Sequence, residues 1–149
     1  MGDLEQPLWR RAATHTLHAS LVLKAILEQR LQEETGMLLA DNEALLNIGH
    51  SDEPLRMTDI ANRLVLSPGG ATKVIDRLEE MGCVTRSPDP SDRRATLLDV
   101  TDAGREALTR NRDIIDSGLQ AVWADHITDE EAQVLVDVMD RVMHARHET

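Results

Sequence analysis

Residues 56–101 read RMTDIANRLVLSPGGATKVIDRLEEMGCVTRSPDPSDRRATLLDVT, and two short helical patterns, a tight turn and a hairpin pattern follow one another in them. In the first, Thr58 is a suitable N-cap, and Ile60, Ala61 and Leu64 recur at helical spacing to form one apolar stripe, with Asp59 and Arg63 facing water. After Val65-Leu66, Ser67 is a good N-cap and Pro68 fits the first helical position, where its missing N–H costs nothing. The second helix therefore starts at about Pro68 and buries Ala71, Val74, Ile75 and Leu78. Gly82 follows as a residue able to end the helix in the left-handed conformation. Cys83 to Arg86 and Ala95 to Val100 then read as two strands around the turn formers Pro88 to Asp92, a hairpin with Arg93 and Arg94 at its tip. The expected class is mainly α (α+β), a winged helix-turn-helix.

That arrangement suits the grooves of DNA. Ser67, Gly69, Gly70, Thr72, Lys73 and Arg77 occupy the exposed side of the second helix. Small side chains there allow close approach, a helix N-terminus favours phosphate, and a Lys or Arg bonds guanine edges. Each glycine costs up to about 1 kcal/mol against alanine in a helix, so some compensation is expected. Arg86 adds charge beside this helix, and an arginine on a projecting hairpin enters the narrow minor groove, where a nearby carboxylate orients it.

Three motifs together, the helix ending in DRLEEMG, the wing DPSDRRATLLDVT and the TDAGREAL that opens the next helix, give the chain a clear likeness: it resembles a MarR-type transcriptional regulator over essentially its whole length. The resemblance implies a homodimer in which N- and C-terminal helices interlock, with one winged lobe per subunit. It implies that Arg94 reaches the minor groove and Asp92 steadies it. It further implies that DNA binding is switched by a small molecule held between the helical region and the lobe. Repression is the family's commoner habit. Peroxide sensors of this type carry a reactive cysteine near the start of the first long helix, where this chain has none.

The flanking sequence agrees on independent grounds. From Leu4 to about Glu34, Leu8, Leu17, Leu21, Ala25 and Leu31 keep an apolar surface on a long helix. A further helix is expected from Leu39 to His50, carrying Ala44, Leu45, Leu46 and Ile48, with a loop from His50 to Pro54. Thr101 caps a helix running to about Asp125, and Thr128 to Glu131 form a capping box for a last one with Leu135, Val138, Met139 and Val142. Long terminal helices with apolar stripes are most simply satisfied by packing on each other and on a second subunit; the alternative is a self-contained monomeric bundle. The chain is thus expected to be one domain, 1–149, with a DNA-binding lobe at 40–101 and dimerisation helices at 1–36 and 102–149.

Composition bounds the rest. No hydrophobic run approaches a membrane span, and Asp3 and Glu5 are wrong for a secretory signal, so a soluble, cytoplasmic protein is expected. The single cysteine excludes an intrachain disulfide, and Cys83 sits where a small buried hydrophobe belongs. The net charge of −11 opposes DNA binding. However, residues 56–101 hold seven Lys or Arg against seven Asp or Glu, so the excess acid lies in the flanking helices. With Phe and Tyr absent, an aromatic, anionic or phenolic effector has only Trp9 or Trp123 to stack on. Trp123 fits a dimer core better, leaving an effector set of Trp9, Arg10, Arg11, His15 and His18, with His50 as a further lining residue. The His15/His18 and His144/His147 pairs lack a third ligand at any recognisable spacing, and no metal or cofactor is expected. No phosphate loop, nucleophile elbow or metal motif points to an enzyme. The competing class is a winged-helix module that docks proteins and reads no DNA sequence.

Overall fold

The computed structural model describes residues 6–64, 66–92 and 94–145. Leu4, Val65, Arg93 and His147, which enter the expectations above, lie outside them. The order of elements is α1 (Leu8–Thr35), α2 (Leu39–Gly49), β1 (Leu55–Arg56), α3 (Met57–Arg63), α4 (Pro68–Glu80), β2 (Val84–Pro88), β3 (Thr96–Val100), α5 (Asp102–Trp123) and α6 (Asp129–Ala145). The mainly helical winged helix-turn-helix expected from the sequence is what folds.

Local chemistry fixes most boundaries. The Ser67 hydroxyl accepts from the Gly70 N–H at 3.1 Å, with Pro68 in the first turn of α4. Gly82 takes φ 71° past the end of that helix. Thr101 caps α5 by accepting from the Gly104 N–H at 3.0 Å, and its own hydroxyl donates to the Gly82 carbonyl at 2.6 Å. This draws α5 so close to β2 that a Cβ on Gly104 would stand 2.2 Å from the Cys83 carbonyl oxygen, so only glycine fits there. Thr128 and Glu131 form the expected capping box, each side chain accepting from the other's backbone N–H.

Two expectations need correction. Thr58 does not cap α3: the N-cap is Arg56 and the helix starts at Met57, two residues earlier than a Thr58 cap would put it, with the Asp59 carboxylate at the third helical position accepting from the Arg56 N–H at 3.0 Å. The segment before α3 also supplies a short strand, β1, which the loop reading of residues 50–54 stopped short of. It pairs antiparallel with β3, Leu55 opposite Leu98, giving the sheet order β1-β3-β2. In the hairpin Val84 faces Val100 and Pro88 faces Thr96.

One core runs through the lobe. Leu45 and Ile48 of α2, Ile60 of α3, Val74, Ile75 and Leu78 of α4, and Leu55, Val84, Leu98 and Val100 of the sheet are buried together. Leu31 of α1 and Ala107 and Ile114 of α5 join the same cluster. Each fully buried Leu or Ile contributes about 1.5–3 kcal/mol by leaving water. The outer parts of the terminal helices are different. Leu8, Leu17, Leu21 and Val22 on α1, and Val134, Val136, Val142 and Met143 on α6, are exposed, and α6 buries none of its described residues. Among the described residues no helix is long and apolar enough to cross a membrane.

Candidate nucleic-acid interface

Helix α4 turns its buried stripe inward and leaves the opposite face bare. Ser67, Gly69, Thr72 and Lys73 are exposed and Gly70 is half-buried. The two glycines have different reasons to be there. A Cβ on Gly70 would sit 3.2 Å from the Ser67 oxygen that caps the helix, so an internal contact explains it. A Cβ on Gly69 would meet nothing within 4 Å, and nothing inside the described chain requires that glycine. Thr72 donates its hydroxyl to the Pro68 carbonyl at 2.9 Å, which pins the side chain along the helix with its oxygen still able to accept.

Three arginines of the lobe are taken up by internal pairs. Arg77, expected to face DNA, instead reaches inward: its Nε lies 3.0 and 3.1 Å from the two oxygens of Asp41 on α2, and its Nη2 donates to the first of them. The hydrogen bonds from Arg77 meet a carboxylate that is fully buried, and they raise the arginine's pKa above its ordinary value. Arg86, also expected at the interface, donates to Asp76 at 2.6 Å and lies 3.3 Å from Glu79, fastening β2 to α4. Both guanidinium groups are engaged by carboxylates within the lobe, which leaves them fewer donors for a phosphate than Arg94. Arg56 donates to Asp89 at 2.6 Å. Asp89 also accepts from the Ser91 hydroxyl and backbone N–H at 2.6 and 2.7 Å. Those Ser91 bonds, with Arg56 adding to them, hold the Asp89 pKa down at about 2.

What remains is a small set of free cations. Arg63, Lys73 and Arg94 enter no ion pair with another described residue. Arg94 is exposed in the turn between β2 and β3, and Asp92 accepts from its backbone N–H at 3.0 Å. Asp92 thus steadies the backbone of the turn, where orientation of the guanidinium was expected. Arg93 lies outside the described residues.

The expected effector set does not assemble within one chain. An unbroken helix from Leu8 turns about 100° per residue, so Arg11, His15 and His18 share one face and Trp9 stands about half a turn from His18. Trp9 shares its side of α1 with Thr16, which with Ala12 faces α6 across an apolar groove of about 600 Å³ that Leu135, Val138 and Met139 also line. His50 ends α2 at the lobe, whereas His18 precedes the core residue Leu31 by 13 residues of helix, about 20 Å. Trp123 lines a second apolar groove with Ala19, Val22 and Leu23. Cys83 is buried, and that burial raises its thiol pKa, the chemistry of an unreactive core residue. Among the described residues no three His, Cys, Asp or Glu side chains gather as a metal set.

The position missed by sequence reasoning is Asp41. Asp41, Ala44, Leu45 and Ile48 fall at i, i+3, i+4 and i+7, which puts a carboxylate on the buried stripe of α2. A buried carboxylate requires a cation, and that spacing was the available signal.

A recognition-type helix packed on α2, α3 and the sheet, followed by a wing whose Arg94 enters no ion pair with another described residue, defines the winged helix-turn-helix class. The profile of the MarR family matches residues 43–96. YkoM of Bacillus subtilis (strain 168), an uncharacterised HTH-type transcriptional regulator, is 31% identical over 104 residues, covering 70% of this chain and 68% of the relative. YdgJ of the same organism, described in the same terms, is 29% identical over 108 residues, 72% of this chain and 65% of its own length. Among solved structures, Sco3205 from Streptomyces coelicolor, a MarR family transcriptional regulator in complex with DNA, is 26% identical with a TM-score of 0.81, covering 95% of this chain and 92% of its own. AbsC from the same organism, also a MarR family transcriptional regulator, is 26% identical with a TM-score of 0.80 over 100% and 98%. The chain belongs to the MarR family of transcriptional regulators.

Proposed function

We propose that this regulator works as a homodimer that binds an inverted repeat in double-stranded DNA and represses transcription there, with a small anionic or phenolic molecule tuning its affinity. The observation that carries the DNA reading is the bare face of α4, Ser67, Gly69, Gly70, Thr72 and Lys73, followed along the chain by a wing whose Arg94 enters no ion pair with another described residue. Gly69 supports it further, since a glycine with open space above it suits close approach by something outside the chain. The similar protein Sco3205 was solved with DNA, and carrying that partner over to this chain is part of the proposal.

The dimer reading is supported by the exposed apolar residues of α1 and α6, which a second copy would cover. On this reading residues 40–101 are the DNA-binding lobe, and 1–36 with 102–149 the dimerisation region. Two-fold symmetry then places the two copies of α4 in successive major grooves, with half-sites about 10 bp apart. The effector part rests on the face of α1 shared by Arg11, His15 and His18 alone, and its test is titration of a hydroxybenzoate into the protein–DNA complex. Release or tightening supports it, and an unchanged affinity removes it.

Selection of bound fragments from a random duplex pool at near-physiological salt tests the DNA reading. An enriched inverted repeat is the expected result. A pool without enrichment would overturn it in favour of the protein-docking module.

A further inference from the structure

The first turn of α2 carries two adjacent buried polar residues, and each is bonded to a different long-range partner. Asp41 is fully buried. One of its oxygens accepts from the Leu38 N–H at 3.0 Å, which fixes the carboxylate to its own helix, and the pair together grip the Arg77 guanidinium through Nε and Nη2. The next residue, Asn42, is 2% exposed and accepts from the Asn111 amide of α5 at 2.9 Å. Asn111 is itself fully buried, and its Nδ2 also lies 3.2 Å from the Met37 sulfur. Its Oδ1 is buried with no hydrogen-bond partner among the described residues. A polar contact kept in an apolar core with one acceptor unpaired does little for stability, and such contacts serve to specify one arrangement over its neighbours.

We infer that Asp41 and Asn42 form a joint that references the recognition helix α4 to the long helix α5, with Asp41 and Arg77 as positioning residues for DNA reading; the inference rests on the DNA-binding function proposed above. The geometry carries it. Residues 41 and 42 lie about 100° apart around α2, so one reaches α4 while the other reaches α5. The planar guanidinium is gripped through two nitrogens, which restrains rolling of α4 about its axis more than a single contact would. Lys73 lies one turn before Arg77 on the same side of α4, so holding the azimuth of Arg77 holds that of Lys73. Apolar packing of Val74, Ile75 and Leu78 tolerates small rolls of the helix, whereas a directional ion pair does not. In a two-fold dimer a roll of α4 in each copy alters the separation of the two reading faces. The joint thereby sets which half-site spacing the protein accepts.

The test has a DNA-free arm and a DNA arm. In the first, hydrogen exchange of the amides of residues 68–80 is measured in the full-length wild type and in Arg77→Lys, which keeps the charge and loses the fork, with Asp41→Asn as the companion. Exchange in α4 is expected to quicken by between about two- and thirty-fold, with α6 unchanged. Equal exchange in the folded variants would overturn the joint, and Arg77→Lys alone decides if Asp41→Asn does not fold. In the second arm, affinities are measured for synthetic duplexes carrying the half-sites selected by the wild type, at separations one or two base pairs longer or shorter. Arg77→Lys is expected to shift or flatten the spacing optimum. A uniform loss at every spacing, with a shallower salt dependence, would instead make Arg77 a phosphate contact and overturn the inference. Faster exchange with an unchanged optimum would overturn the DNA role while leaving a structural one. Failure of the wild type to select any sequence refutes the DNA-binding proposal and this role in reading DNA, and the exchange arm still decides whether the joint exists.

Discussion

At the hairpin tip, Arg94 is exposed and pairs with no other described residue, while Asp92 holds its backbone. Among the described residues nothing bonds the Arg94 guanidinium, so Arg94→Ala is expected to leave dimerisation and the melting temperature unchanged. Operator affinity should fall, with the salt slope reduced by about one if the partner is a phosphate. An unchanged isotherm would remove the wing from the interface. Asp89, where the turn leaves β2, gives a pH signature. Its pKa is held at about 2 from an ordinary 3.8, first by Ser91 and then by Arg56. A carboxylate depressed on folding contributes stability that is fully present above its unfolded value and is lost as pH falls through its folded one. Urea melts of the wild type and Asp89→Asn should therefore differ above about pH 4 and converge toward pH 2. A constant difference from pH 2 to 7 would contradict the assignment. Asp89 with Arg56 and Asp41 with Arg77 share an obstacle to sequence reading, since 33 and 36 residues separate the partners. Only the placement of Asp41 on an apolar stripe announced that such a partner was needed.

Among the elements, α4 was the most legible, because Ser67, Pro68 and Gly82 act within a few residues of themselves and the apolar stripe has the helical period. The start of α3 was harder to read: Thr58 and Asp59 are both capping-type residues, and Asp59 acts from the third helical position with Arg56 as N-cap, which sets the helix two residues before the Thr58 register. Strand β1 has only Leu55 and Arg56, too short to show any alternation, and exists because β3 offers an edge. The sequence treated Gly69 and Gly70 alike, and their surroundings separate them. Gly69→Ala should stabilise α4 by roughly 0.4–1 kcal/mol, since alanine fits the open space and has the better helix propensity. The same change should weaken operator binding by placing a methyl group in the groove-facing surface. A melt together with an affinity measurement checks both signs, and a gain in stability at unchanged affinity would show that no partner approaches there.

For the whole molecule, the periodic stripes of α1, α5 and α6 were readable, but what covers them is not written in one chain. In the single protomer Leu17 and Leu21 are 58% and 56% exposed, so Leu17→Glu with Leu21→Glu should cost the isolated fold little. Against a second copy the same charges would be buried. Sedimentation is expected to give a dimer for the wild type and a monomer for the double variant, with operator affinity lost because one lobe reads only half the site. An unaffected sedimentation coefficient would contradict the use of α1 in dimerisation. The net −11 belongs to the whole chain, while residues 56–101 balance to zero and pair Arg56 and Arg86 among themselves; Arg63, Lys73 and Arg94 enter no ion pair with another described residue. An acidic body with a few free cations opposes indiscriminate coating of DNA and favours sites whose groove geometry engages those cations.

A hydroxyl-radical footprint of the full-length protein on its selected duplex, set beside the footprint of Arg94→Ala, reports together on the two-fold symmetry of binding and on the wing. The expected pattern is two-fold symmetric, with protections centred about one helical turn apart. Flanking minor-groove protection should be present for the wild type and missing for Arg94→Ala. A single asymmetric patch, or a footprint that Arg94→Ala leaves intact, would contradict the account of a dimer reading DNA with paired α4 helices and wings.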